Sequence, residues 1–60
     1  MPIITIQMWE GRSREDKKKL SEDITDVVCK DAGCPKEAVI VVFQDIPKEN
    51  WAQSGKLASE

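Results

Sequence analysis

Four side chains in this 60-residue sequence have chemistry that fits together: Pro2, Arg12, Trp9 and Trp51. Once Met1 is removed, Pro2 ends the chain in a secondary amine, a group no other residue can place there. An unperturbed α-amino group titrates at about 7.7–8.0, and burial or a neighbouring cation lowers that further by disfavouring the ammonium form. A neutral amine of such basicity suits the removal of a proton beside a carbonyl, because a general base acts best with its pKa near the operating pH. Arg12 offers a planar fork that matches the two oxygens of a carboxylate. Trp51, in a loop, fits a pocket or interface wall; Trp9, at a strand end close to Arg12, is balanced between core anchor and pocket wall. Each residue also has a plainer reading, since proline is tolerated at a strand's first residue and most arginines are simply solvated.

Other chemistries find little support. The sequence has no histidine and only two cysteines, Cys29 and Cys34, so the usual zinc ligand sets are missing and no metal or cofactor is expected. These two thiols read as buried or half-buried side chains. Acidic and basic residues are interspersed with a net charge of -2, which argues against a nucleic-acid partner. No apolar run approaches the roughly 18 residues of a membrane span, and no signal-peptide pattern opens the chain. A cytoplasmic protein in a reducing compartment is expected. Lys17-Lys18-Lys19 reads as a solvated helix face, with Glu15 four residues before Lys19 in the favourable order.

Positioning these residues requires elements, and the pattern gives three plus a tail. Residues 3–9 are β-branched or apolar at nearly every position and predict a strand. Ser13-Arg14-Glu15-Asp16 resembles a capping box, and Leu20, Ile24, Val27, Val28 and Ala32 then form an amphipathic helical stripe that Gly33 and Pro35 end. Residues 38–43 are a continuous apolar run and predict a second strand. Strand, helix and strand joined by short loops make a βαβ unit with parallel strands. Pro47-Lys48-Glu49-Asn50 and Ser54-Gly55 are turn signals, so a turn and a small hairpin or loop are expected at the end. The whole of residues 1–60 reads as one domain. One helix covers only one face of such a sheet, and a chain this short buries only about 60% of its unfolded surface, so an obligate oligomer is expected.

Taken together, Pro2 behind the initiator, Glu10-Gly11-Arg12-Ser13 closing the first strand, the helix length, and Gly55-Lys56-Leu57-Ala58-Ser59 near the end resemble the small tautomerases typified by 4-oxalocrotonate tautomerase. The resemblance covers nearly the whole chain. It implies an α+β fold in which the βαβ subunit, with a short C-terminal hairpin, dimerises into a four-stranded sheet and assembles as a trimer of dimers. It further implies a cofactor-independent keto–enol isomerase acting on a 2-hydroxydienoate or 2-oxo acid such as 2-hydroxymuconate, as in aromatic catabolism. Pro2 would be the base, Arg12 would bind a carboxylate, and Trp51 and Trp9 would wall the pocket. One position departs from the type member: its second-strand arginine corresponds here to Ile40. The departure leaves open a slower enzyme on the same diacids, an enzyme for another 2-oxo acid, or a noncatalytic or partner-dependent subunit of a mixed oligomer.

Overall fold

The computed structural model describes residues 1–60. Its order is β1 (Ile3–Trp9), α1 (Arg14–Ala32), β2 (Ile40–Ile46), β3 (Ala52–Gln53) and β4 (Lys56–Leu57). β1 and β2 pair in parallel, with Ile3 opposite Ile40 and Trp9 opposite Ile46, so the sequence-predicted βαβ unit forms. β3 and β4 make the small antiparallel hairpin. Its two loop residues, Ser54 and Gly55, have φ of 55° and 77°, the left-handed pair that a tight two-residue hairpin needs.

The helix begins and ends where the sequence predicts. Ser13 is extended, and its hydroxyl accepts the Asp16 N–H at 3.1 Å. Gly33 adopts φ 69° and donates its N–H to the Cys29 carbonyl at 3.0 Å, closing a left-handed cap that a side chain would strain. The covered stripe differs from the expected one. Lys17, Leu20, Ser21, Ile24, Thr25, Val28 and Cys29 are half-buried, whereas Val27 is 58% exposed and Ala32 is exposed. Val27 lies about 100° round the helix from Val28, on a flank the two-stranded sheet does not reach. Lys17 is likewise no mere solvated residue: its ammonium sits 2.6 Å from the Asp45 carboxylate and ties α1 to the end of β2. The expected Glu15 pairing is absent, because Lys19 turns to Asp23 at 3.8 Å.

The second strand starts two residues later and runs three residues further than residues 38–43. Before it, the Ala38 and Val39 N–H groups donate to Pro35 and Lys36 in a short turn, so the ladder opens only when the Ile40 N–H reaches the Pro2 carbonyl at 3.0 Å. Polar Gln44 and Asp45 remain in the strand because the Gln7 amide donates to the Gln44 side chain at 2.9 Å and Lys17 holds Asp45.

Strand alternation sorts the sheet into two faces. Ile4, Ile6, Met8, Val41 and Phe43 are half-buried on the helix side, while Ile3, Thr5, Gln7, Trp9, Ile40, Val42 and Gln44 are exposed on the other. No residue of the chain is fully buried. The radius of gyration is 14.3 Å, against about 10 Å for a compact chain of this length, and the extents are 43 × 23 × 13 Å. No helix is long and apolar enough to cross a membrane.

Candidate active site

The C-terminal end of β1 delivers Trp9 to the edge of the sheet, and the following turn carries Glu10, Gly11 and Arg12 away from it. Opposite, β2 ends at Ile46, and Pro47 leads into one three-residue helical turn, Lys48–Asn50. The Asn50 N–H donates to the Pro47 carbonyl at 2.9 Å and the Trp51 N–H to the Lys48 carbonyl at 3.2 Å. That turn sets Trp51 against Trp9: the ring centroids are 6.0 Å apart at 76°, an edge-to-face pair. The Lys48 ammonium lies 4.9 Å from the centre of the Trp9 ring. The Ala58 N–H donates to the Trp51 carbonyl at 2.8 Å, so the hairpin braces this corner from behind.

Between these groups lies a cleft of 470 Å³ lined by Trp9, Trp51, Arg12, Lys48, Glu10 and Asp16, together with Met8 and Gly11. Arg12 has one weak ionic partner, Asp16 at 3.9 Å, with both side chains largely solvated. Such an exposed pair contributes little and leaves the guanidinium fork available to an incoming carboxylate. On the other side of Arg12 a hollow of 350 Å³ lies against α1, but its lysines, Lys17 and Lys19, already face Asp45 and Asp23.

Three of the four sequence-predicted residues thus converge: Arg12, Trp9 and Trp51. Pro2 stands apart. It lies at the opposite end of β1, seven residues and roughly 23 Å from Trp9 by strand rise. There it is half-buried, its carbonyl accepts the Ile40 N–H, and Met1 beyond it is 83% exposed. Ile3 and Ile40 are its apolar neighbours along the two strands. Lys48 was missed by sequence reasoning, which read Pro47-Lys48-Glu49-Asn50 only as a turn. The signal was its closeness in sequence to Trp51, which a short turn keeps at the same corner of the fold.

Cys29 and Cys34 are both free and half-buried. Burial pushes the Cys29 thiol above its ordinary value of 9.0, and the adjacent Cys34 thiol adds to the rise. No set of three His, Cys, Asp or Glu side chains gathers in a way that holds a metal ion.

The parallel βαβ unit with its short antiparallel hairpin is the fold of solved 4-oxalocrotonate tautomerase homologues. The model of the tautomerase enzyme family matches residues 2–60, and the chain belongs to that family. A probable tautomerase of Bacillus cereus is 38% identical over 60 residues, covering 100% of this chain and 98% of that protein. Among solved structures, a 4-oxalocrotonate tautomerase isozyme from Methylibium petroleiphilum superposes with a TM-score of 0.92 at 40% identity, covering 97% of this chain and 94% of that one. A subunit of a heterohexamer 4-oxalocrotonate tautomerase from Chloroflexus aurantiacus superposes with a TM-score of 0.94 at 28% identity, covering 100% and 97%. Membership supports a tautomerase-type activity for this chain.

Proposed function

We propose that the processed chain is a cofactor-independent keto–enol tautomerase acting on a 2-hydroxydienoate or other 2-oxo acid such as 2-hydroxymuconate. The observation that carries this reading is the extent of the family match, which begins at Pro2 and runs to the last residue. With Met1 attached, the Pro2 nitrogen is an amide and has no basic lone pair; removal of Met1 converts it to the secondary amine the chemistry needs. That amine takes the proton from the enol oxygen and returns it to a carbon of the conjugated chain, giving the 2-oxo acid. Arg12 holds a carboxylate, and Trp9 and Trp51 flank the apolar backbone of the substrate.

Because Pro2 and Arg12 lie at opposite ends of β1, a complete site in this reading joins the Pro2 end of one copy to the Arg12 cleft of another. The exposed sheet face supports association: Ile3 is 61%, Val42 40% and Ile40 39% exposed in a protomer with no buried residue. Pairing that extends the sheet to four strands, and assembly to a hexamer, cover this surface. We place the protein in the cytoplasm on the same reading.

Ile40 shapes the chemistry at the Pro2 end. An apolar neighbour disfavours the ammonium form by desolvation and so keeps the amine neutral, but it offers nothing to a developing enolate oxygen. The second reading follows from it: a subunit that depends on a different partner chain for its oxyanion contact, as in a mixed oligomer. The test is direct. Mass spectrometry first establishes whether Met1 is removed. The processed chain is then assayed for ketonisation of 2-hydroxymuconate and of enolpyruvates, alone and with any companion subunit. Turnover by the chain alone supports the first reading, and turnover only in the mixture supports the second. Full activity in a processed, folded Pro2→Ala protein would refute the role given to Pro2 in either reading.

A further inference from the structure

Lys48 is the cation of the cleft to which the tautomerase reading gives no task. We propose that Lys48 is the second cationic contact of the substrate site, binding one oxygen of the carboxylate remote from the reacting carbons alongside Arg12, and that it thereby selects dicarboxylate over monocarboxylate enols. The inference rests on the tautomerase reading and names its substrate class.

Three independent features place it there. Lys48 opens the turn Lys48–Asn50 and Trp51 follows it in extended backbone, and both line the same cleft as Arg12. Trp9 lies under the Lys48 ammonium at 4.9 Å, and this aromatic face restrains the otherwise flexible side chain without neutralising it. Finally, no carboxylate comes within ion-pair distance of Lys48; Lys18, Lys30 and Lys56 are likewise unpaired, but of these only Lys48 lines the cleft with Arg12, whereas Lys17, Lys19 and Lys36 face Asp45, Asp23 and Asp26. An ammonium steered over a ring and left without a counter-ion is ready to receive an anion.

Glu10 and Asp16 share the wall, so an anion settles only where both cations act on it together. Asp16 is already turned toward Arg12. Arg12 presents a fork and Lys48 a point charge, a combination that matches a carboxylate taken bidentately on one side and through a single oxygen on the other. Ile40 removes a cation from the Pro2 end relative to the type member of the family. With Arg12 and Lys48 at the far end, the cationic contacts of this chain gather where the second carboxylate of a diacid would lie.

The experiment compares wild type, Lys48→Met and Lys48→Arg, all processed and assembled. Steady-state KM and kcat are measured for 2-hydroxymuconate and for a monocarboxylate aryl enolpyruvate. Equilibrium binding of adipate, a dicarboxylate with no enol, is followed by the fluorescence of Trp9 and Trp51. The Lys48→Met change should raise KM for the dicarboxylate about tenfold more than KM for the monocarboxylate and weaken adipate binding by a similar factor, with Lys48→Arg restoring most of both. Equal effects on the two substrates, or a dicarboxylate KM and adipate affinity within twofold of wild type, overturn the assignment while leaving the tautomerase reading intact. A wild type inert toward every enol, whose adipate binding still falls on Lys48→Met, upholds the anion site and rejects the tautomerase reading instead.

Discussion

At its N-terminal end β1 meets apolar neighbours, with Ile3 and Ile40 beside Pro2, whereas at its C-terminal end it runs into charge and aromatic rings, with Arg12, Lys48, Trp9 and Trp51 around one cleft. The two ends suit different tasks. A neutral amine is favoured by apolar surroundings such as Ile3 and Ile40 would give once association covers them; a carboxylate is recognised where cations stand in place with few competing partners. One strand of seven residues keeps these environments roughly 23 Å apart, so neither spoils the other. In the proposed mechanism the two are reunited only between copies of the chain.

The sharpest way to break this division is to disable each end in turn. Processed Pro2→Ala should lose about 10²-fold or more in kcat for ketonisation, with its native mass unchanged; initial rates and native mass spectrometry check both. Arg12→Ala should lower kcat/KM for a dicarboxylate enol by about 10- to 100-fold, chiefly through KM, since a charge-assisted contact contributes about 1.5–3 kcal/mol. Mixing the two impaired proteins, unfolded and reassembled together and assayed well below the KM of wild type, sharpens the comparison. If each site draws Pro2 and Arg12 from different copies, a 1:1 mixture recovers roughly a quarter of wild-type activity by random pairing; if one copy supplies both, it recovers none.

Smaller effects are expected where the helix merely holds the strands. Asp45→Asn removes the partner of Lys17 and should cost about 1 kcal/mol or less of stability in denaturant titration, with KM unaffected, because the pair is partly solvated. The smallest effect concerns Cys29. Its thiol is raised above 9.0 by burial and then by Cys34, so the folded state holds that proton more tightly than the unfolded one. The stability contributed is fully present below about pH 9 and is lost as pH climbs through the folded-state value. Cys29 should accordingly alkylate more slowly in the folded protein than in urea near pH 9, as peptide mapping would show.

Much of the fold was legible because its signals are local. Ser13 and Gly33 bound the helix by hydrogen bonds that reach only three or four residues, and the β-branched run of residues 3–9 needs no distant contact to be extended. The limits of β2 were not local. Ala38 and Val39 look like strand residues but spend their N–H groups on Pro35 and Lys36, while Gln44 and Asp45 look like a break but are held by Gln7 and Lys17 from elsewhere in the chain. The candidate site shows the same contrast. Residue type alone pointed to Arg12, Trp9 and Trp51, yet their convergence, the position of Lys48 over Trp9, and the remoteness of Pro2 became visible only once the register was known.

The absence of any fully buried residue in the protomer reaches beyond architecture to inheritance. In the proposed assembly the apolar face is sheltered by sibling copies, and each particle mixes the products of both alleles. A mutant copy with intact contacts but a ruined terminus would enter the same particles as healthy copies and disable only the sites that draw on its own Pro2, so a cell carrying both alleles would keep roughly half of its activity.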